Sequence, residues 1–443
     1  MRTLLWVAIA AFASMPQPAR AVSCRFGTGA TPAVTKLGKL HGAQIPIDTI
    51  VLLMQENRSF DHYMGHIKHE GQPRAIPVPG NASNPDPTNP GGPVIRPFLQ
   101  TRLCESADLD HSWNGTHNEW DNGKMDGFTA ANVDPTNPNG SRTMGYYDQA
   151  TLPYYYSLYS TFAMADHYFA AALTQTFPNR LFFLAGTSFG HIRNDLPSGP
   201  TDFPGRSIFN LLDEANPPIT YKIYAAQLPY GFLFAYVRNR VPSPIAPVAQ
   251  FFTDAAAGTL PQVSYIDGIQ FGTKNVENDE HPAANVQVGQ KFVADAVKAF
   301  TTGPQWAHGA MFVTYDEHGG FYDHVKPRPA CVPDDIQPMF QAGDIPGRFD
   351  RTGIRVPMVA ISPYSRPNYV SHRVYDHTSI LRFVETRFDL PALTQRDANA
   401  DPMLRMFKFK DGAPFATPPT FPDPSVDMSR PECSPSGAFV DVR

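Results

Sequence analysis

Cysteine is scarce in this 443-residue chain, with four in all, at positions 24, 104, 331 and 433. They form no CxxC pair and no Cys/His cluster, so nothing in their spacing points to a zinc site. Basic charge is in deficit as well, with 36 Lys and Arg against 41 Asp and Glu. That balance excludes the electrostatic footprint of nucleic-acid binding. Long apolar runs are missing too. The run from Leu4 to Ala13 is too short to cross a bilayer as a helix. It lies between Arg2 and Ala19-Arg20-Ala21, the pattern of a secretory signal peptide cleaved after Ala21. Ala21-Val22-Ser23-Cys24 is also similar to a lipoprotein cleavage site, but without the leading leucine. The expectation is therefore an exported, periplasmic or secreted chain with no transmembrane segment. Loss of Arg2 and Arg20 with the leader makes it more acidic still. An even cysteine count in an exported chain predicts two disulfides, with three connectivities open.

What is present is an α/β pattern rich in ordered loops. Apolar residues make up 42% of the chain, ordinary for a soluble protein, and 45 prolines punctuate it. Short strands are expected at 49–55, 220–224, 262–266, 310–315 and 356–361. Helices are expected at 152–162, 285–300 and 378–388, with another near 174–190 entered through a proline. Strands alternating with helices predict a mostly parallel central sheet with helices on both faces. With no internal repeat and no clean linker, residues 22–443 read as one domain. It carries long loops at about 70–98 and 225–260 and a Pro-rich tail from residue 411.

Chemistry gathers where two of these strands stop. The run Thr49 to Gln55 ends in Glu56-Asn57-Arg58, and the run Ala310 to Tyr315 ends in Asp316-Glu317-His318. In open α/β sheets, ligands bind beyond the carboxyl ends of the strands. Glu56, Asn57, Asp316 and Glu317 offer oxygen only, a donor set suited to calcium, magnesium or manganese. For each pair taken alone, the plainer alternative is a strand-end turn. Thr176 precedes Pro178 at a helix start, where a hydroxyl can attack phosphorus or simply cap the helix. His111 and His281 each follow acidic residues and can donate to a phosphoryl oxygen or protonate a leaving group.

The stretch Glu56-Asn57-Arg58-Ser59-Phe60-Asp61-His62-Tyr63-Met64-Gly65 strongly resembles the signature of the phosphoesterase family that unites bacterial phospholipases C with certain acid phosphatases, within the alkaline-phosphatase-like superfamily. The resemblance continues through Met125-Asp126-Gly127-Phe128, Asp166-His167-Tyr168-Phe169, Thr176-Phe177-Pro178-Asn179-Arg180-Leu181 and Asn278-Asp279-Glu280-His281-Pro282. It ends with Asp316-Glu317-His318-Gly319-Gly320 through Asp323-His324-Val325 and then His377-Thr378-Ser379. It implies an alkaline-phosphatase-like α/β fold and a covalent phosphoryl-enzyme route. By position, it implies Thr176 as nucleophile and Glu56, Asn57, Asp316, Glu317 and Thr176 around one divalent cation. His111 and His281 are then the groups that bind the phosphoryl moiety and serve the leaving group. Asn179 and Arg180 are expected to shape the nucleophile turn, while His318, His324 and His377 receive no role.

The substrate is then a phosphate ester, with phospholipid among the expected partners. Two readings stay open, a phospholipase-C-type diesterase and a nonspecific acid phosphatase. The resemblance associates threonine nucleophiles with the first and serine with the second. Phe177, Phe182 and Phe183 are candidates to line the apolar cleft that a bulky diester needs. A third reading is an inactive secreted protein that binds metal and anions. A loss at Thr176, Glu56 or Asp316 would favour it, and all three are present.

Overall fold

The computed structural model describes residues 22, 24–410 and 412–434. The expected leader, residues 1–21, lies outside them. An eight-stranded sheet organises the chain. Its strands are β1 (Thr49–Gln55), β2 (Ala163–Ala165), β3 (Tyr221–Ala225), β4 (Ile245–Pro247), β5 (Val263–Asp267), β6 (Gly309–Tyr315), β7 (Met358–Ile361) and β8 (Tyr369–Ser371). They lie side by side in the order β8-β2-β7-β6-β1-β5-β3-β4. Only β7 runs against its neighbours. The sheet is mostly parallel, as expected.

The centre of the sheet is set by β1, all seven of whose residues are buried. It pairs in parallel with β5 on one side and β6 on the other. A strand buried on both faces reads as a continuous apolar run, which is why its sequence shows no alternation. Gln55 pairs with Tyr315, so the next residues, Glu56 and Asp316, emerge side by side at the carboxyl edge.

The main helices are α1 (Phe60–Met64), α2 (Trp113–Trp120), α3 (Pro153–Thr161), α4 (Thr176–Ala185), α5 (Ile208–Glu214), α6 (Val248–Ala257), α7 (Val286–Thr302) and α8 (His377–Phe388). They cover both faces of the sheet. Side chains of a strand alternate between faces. On one face Phe312 meets Phe383 of α8 at 4.9 Å between ring centres, and Tyr265 meets Phe183 of α4 at 6.0 Å. On the other, Tyr315 meets Tyr63 of α1 at 5.5 Å and Tyr224 meets Phe251 of α6 at 5.6 Å. The tyrosines of α3 are buried packing surface.

Three expectations need correction. Residues 225–260, read as a loop, contain a 3₁₀ turn (Tyr230–Leu233), a short helix (Ala235–Asn239), β4 and α6. The sequence signal there was broken by Pro229, Pro242, Pro244 and Pro247, which border short elements rather than a structureless stretch. Second, Phe182 and Phe183 are buried, packed on Phe349 and Tyr265 respectively, and Phe183 borders a small cavity that Arg180, Tyr230 and Asp267 also line. Third, one disulfide is formed, between Cys104 and Cys433. Cys24 and Cys331 carry free thiols, the latter raised to about 12 by burial and by its contact with Cys24.

The loop at 70–98 closes down on the chain through Asn84, whose side chain accepts from Phe128 N at 2.9 Å and donates to the Met125 carbonyl at 3.1 Å. The Pro-rich tail runs along the surface, holding Trp306 Nε1 through the Phe415 carbonyl at 2.9 Å. No helix among the described residues is long and apolar enough to cross a membrane.

Candidate active site

Glu56 and Asn57 continue β1, and Asp316 and Glu317 continue β6. Both turns are tight. Asn57 adopts the left-handed backbone at φ 60°, one of the few conformations that asparagine tolerates better than most residues. Gly319 and Gly320 do the same at φ 63° and 73°, and a Cβ on Gly319 would lie 2.3 Å from the Asn57 carbonyl oxygen. Gly319 lets the turn after β6 press directly against the turn after β1, and Gly320 lets it press against Leu109 and Asp110, beside His111.

Helix α4 begins at Thr176, with Gln175 as its N-cap residue. The sequence placed the start nearer Pro178, which instead occupies the third helical position. Asn179 causes the shift. Its Oδ1 accepts from Ala171 N and Ala172 N at 2.9 Å each, and its Nδ2 donates to the Thr174 carbonyl at 2.7 Å. These bonds fold the approaching chain back on the helix and fix where it starts. The N–H of Phe177 is taken by Asn194 Oδ1 at 2.8 Å, and Pro178 has none. Among the described residues, Thr176 N–H is left as the unengaged donor of the first turn, next to the Thr176 hydroxyl.

Arg180 lies one helical turn after Thr176 and therefore on the same face of α4. It does not shape the turn. Its guanidinium reaches Asp316 at 3.2 Å, Glu56 at 3.3 Å and Asp267, at the end of β5, at 3.5 Å. It also donates to the carbonyls of Met54 and Gln55, and it stacks on Tyr230 at 3.7 Å. The Tyr230 hydroxyl donates to Glu56. Phe177, half-buried, packs edge-on against the same Tyr230 ring. This cluster ties the nucleophile candidate's helix to the ends of three strands.

His111 and His281 meet across Asp108, whose Oδ2 lies 3.7 Å from His111 Nδ1 and 3.7 Å from His281 Nε2. Their rings stand 6.0 Å apart. His111 Nδ1 donates to the Leu109 carbonyl at 2.8 Å, while its Nε2 approaches Asn57 Nδ2 at 3.4 Å and Glu317 Oε1 at 3.9 Å. Burial works against charge on both rings. The surrounding carboxylates prevail, chiefly Glu317 for His111 and Asp108 for His281, and raise them to about 10 and about 9. Both are cations at neutral pH.

The carboxylates respond in opposite ways. Burial lifts Asp316 to about 7, with Arg180 opposing and Glu56 adding to the rise. Burial and Glu56 lift Asp279. Glu317 is lowered, because His111 and His318 overcome its burial. Three oxygens here are buried without a hydrogen-bond partner, namely Asn57 Oδ1, Asp279 Oδ2 and Glu317 Oε1. Stranded buried oxygens cost free energy unless something fills the gap. An all-oxygen set of this kind fits a hard divalent cation. The buried Asp and His groups of the chain are thus compatible with metal binding.

The histidines without an assigned role now have positions. His318 is clamped between Glu119 Oε2 at 2.6 Å and Glu317 Oε2 at 3.4 Å. His377 is held neutral by burial, down to about 4, and its Nε2 bonds the Asp316 carbonyl at 2.6 Å. His324 pairs with Asp61 at 2.7 Å beside Arg355. Sequence reasoning missed Asp108, Glu119, Tyr230, Asp267 and Asp279 as members of the cluster. Asp279 stood inside a motif and Asp108 among the acids before His111; the other three had no motif to mark them.

A family model described as "Phosphoesterase family" matches residues 47–391. The chain is 32% identical over 417 residues to Non-specific phospholipase C1 of Arabidopsis thaliana, covering 88% of this chain and 76% of that protein. To Phospholipase C B of Mycobacterium tuberculosis (strain ATCC 25618 / H37Rv) it is 32% identical over 465 residues, covering 91% and 86%. Among solved structures, a protein in the alkaline phosphatase superfamily from Vibrio parahaemolyticus aligns with a TM-score of 0.38 at 9% identity, over 80% of this chain and 69% of that one. That last likeness is too distant to carry an argument.

Arg180 supplies the positive charge for three buried carboxylates. Arg180→Met is expected to destabilise the fold by about 3–5 kcal/mol at pH 8, the cost of stranding buried charge. With the guanidinium gone, the penalty exists only while the carboxylates are ionised. With Arg180 in place Asp267 and Asp316 stand at about 6 and about 7, its charge opposing the rise of both. Without it they take up protons at higher pH, so the penalty shrinks as pH falls through 7 and is much reduced at pH 5. Urea unfolding of both proteins at pH 8 and pH 5 measures it; an equal loss at both values would contradict the assignment.

Proposed function

Because the chain belongs to the Phosphoesterase family and is a hydrolase of phosphoric ester bonds, we propose that it is a phospholipase-C-type enzyme working through a phosphothreonine at Thr176. The carrying observation is the single cluster at the ends of β1, β5 and β6. There the helix of Thr176, a set of unpartnered oxygens and two cationic histidines converge.

In this reading the phosphate diester lies with its phosphorus beside the Thr176 hydroxyl. The free Thr176 N–H and the His111 and His281 cations hold the non-bridging oxygens as negative charge builds on them. The Thr176 hydroxyl gives its proton to solvent as its oxygen forms a bond to phosphorus, and the bond to the diacylglycerol oxygen breaks. His281 or His111 gives that oxygen a proton, so it leaves as the neutral alcohol. The neutral histidine then takes a proton from water, which attacks the phosphothreonine and frees the phosphorylated head group, and the Thr176 oxygen regains its proton from solvent. A divalent cation bound by Glu56, Asn57, Asp316 and Glu317, with Thr176 completing its shell, would lower the pKa of the hydroxyl and offset phosphate charge. Arg180 is committed to Glu56, Asp316 and Asp267, so it opposes the rise that burial imposes on Asp316 and Asp267 and holds all three side chains in place instead of holding the substrate. We read residues 1–21 as an export leader and residues 22–443 as one domain.

A second reading, a nonspecific acid phosphatase, draws on the same two cations, which suit a dianionic monoester. The names of the relatives and the shortage of free arginine or lysine at the cluster favour the diester.

Thr176→Ala is expected to lower turnover at least about a thousandfold, as removal of a nucleophile does elsewhere, while Thr176→Ser stays active. Near-native rates for Thr176→Ala would sink the nucleophile. On the wild type, p-nitrophenyl phosphorylcholine should be turned over with higher kcat/KM than p-nitrophenyl phosphate. A reversal by tenfold or more would hand the assignment to the phosphatase. Metal retention should depend on pH, because a proton on Asp316 competes with the cation. Divalent metal bound per chain is expected to fall as pH drops below about 7 and to be lost in Asp316→Ala at any pH. Full metal content in that variant would refute the shared site.

A further inference from the structure

The carboxyl edge of the sheet carries a second pair of strand ends with ligand chemistry. Ala165 of β2 is in register with Ser371 of β8. The residues that follow, Asp166 and His372, therefore leave the sheet side by side, just as Glu56 and Asp316 do. Two strands separate this pair from β1, at about 4.8 Å per strand step, so it is distinct from the cluster around Arg180.

Asp166 is buried, and its carboxylate gathers two imidazoles. His167 Nδ1 lies 3.0 Å from Oδ1, and His372 Nδ1 lies 2.9 Å from both oxygens. The one ligand-type atom each residue offers lies within 4.8 Å of the other two. The remaining polar contact to the carboxylate is Ile76 N–H, at 3.0 Å from Oδ2. No lysine or arginine side chain pairs with this carboxylate among the described residues. That separates it from the group Asp61, Asp323 and His324, where Arg355 already occupies the space between the acids at 2.6 and 3.1 Å. It also differs from Asp108, His111 and His281, which belong to the candidate active site.

We propose that Asp166, His167 and His372 form a separate binding site for a divalent ion of the zinc class. Two nitrogens and one carboxylate oxygen select a borderline transition ion over calcium or magnesium. Bonds of about 2.0–2.1 Å to three tetrahedral ligands put the ligand atoms about 3.3 Å apart. The oxygen–nitrogen spacings need to open by only a few tenths of an ångström, and the two nitrogens already lie within 4.8 Å of each other. The ion takes the place of the two Nδ1 protons, which go to solvent. The half-exposed His372 ring leaves a route in from solvent, and a water can fill the fourth position. Such an ion pins the ends of β2 and β8 together. Through Ile76 on the same carboxylate, it also anchors the loop at 70–98.

The test is a count of zinc by elemental analysis after equilibration with ZnCl2 and gel filtration, on the full chain and its variants. His372→Ala is the first variant, since its side chain is half exposed and the fold does not rest on it. Wild type is expected to hold one zinc equivalent more than His372→Ala and His167→Ala, with hydrolytic activity unchanged in His372→Ala. His372→Cys, which restores a ligand, should recover the equivalent. With Co2+ in place of Zn2+, the visible absorption of the extra equivalent should vanish in His372→Ala. Equal zinc content in wild type and His372→Ala would overturn the proposal and leave these contacts as hydrogen bonds alone. So would a failure of His372→Cys to regain the ion despite native folding by circular dichroism.

Discussion

One guanidinium holds the carboxyl edge of this sheet together. Arg180 is buried, and so are Glu56, Asp267 and Asp316, which it contacts from the ends of β1, β5 and β6. Parallel strands emerge in register, so their terminal carboxylates crowd at spacings where mutual repulsion would otherwise keep them protonated. A cation on a neighbouring helix resolves this. It also fixes the distance between α4 and the sheet, and with it the place of Thr176 one turn earlier. Gly319 after β6 serves the same end, because it lets that turn approach Asn57 without a side chain between them.

Much of the rest of the site consists of supports for those few groups. His318 is a buried cation, raised against its burial to about 9 by Glu119 and Glu317. His377 is the opposite, a neutral ring whose two nitrogens bond the Tyr168 hydroxyl at 3.0 Å and the Asp316 carbonyl. Each histidine orients a neighbour whose carboxylate faces the cluster. Buried charges of this kind are poor sources of stability, and their density here fits a site arranged for chemistry at the expense of an oily core.

The strands at 49–55 and 310–315 were legible in the sequence because burial on both faces makes an unbroken apolar run that ends sharply in acids. The helices with regular apolar spacing, such as Val286–Thr302, were legible because burial of one face alone repeats apolar residues at the helical period. The start of α4 was not, because the proline that seemed to open it is outweighed by the side-chain bonds of Asn179 to Ala171, Ala172 and Thr174, which no local pattern reveals. Asp267 and Glu119 could not be read either. Each is a single acid whose meaning depends on a partner far along the chain, Arg180 for one and His318 for the other. Phe182 and Phe183 look like cleft lining by position, yet the twist of α4 turns both into packed interior.

The bridge between Cys104 and Cys433 spans 329 residues and makes a covalent ring of most of the chain. Asp108, His111, Thr176, Arg180, His281, Asp316 and Glu317 all lie on that ring, whereas Glu56 and Asn57 lie on the segment before it. A single protease cut within the ring would leave both products tied through sulfur. A cut in the loop at 70–98 falls outside the ring, and the piece bearing β1 would then be held by nothing covalent. It would stay only because β1 is the middle strand, laced on both sides by β5 and β6. The protein would thus tolerate nicking in that loop for as long as its sheet remains folded, and would lose two of its five proposed metal donors at once when the sheet opens.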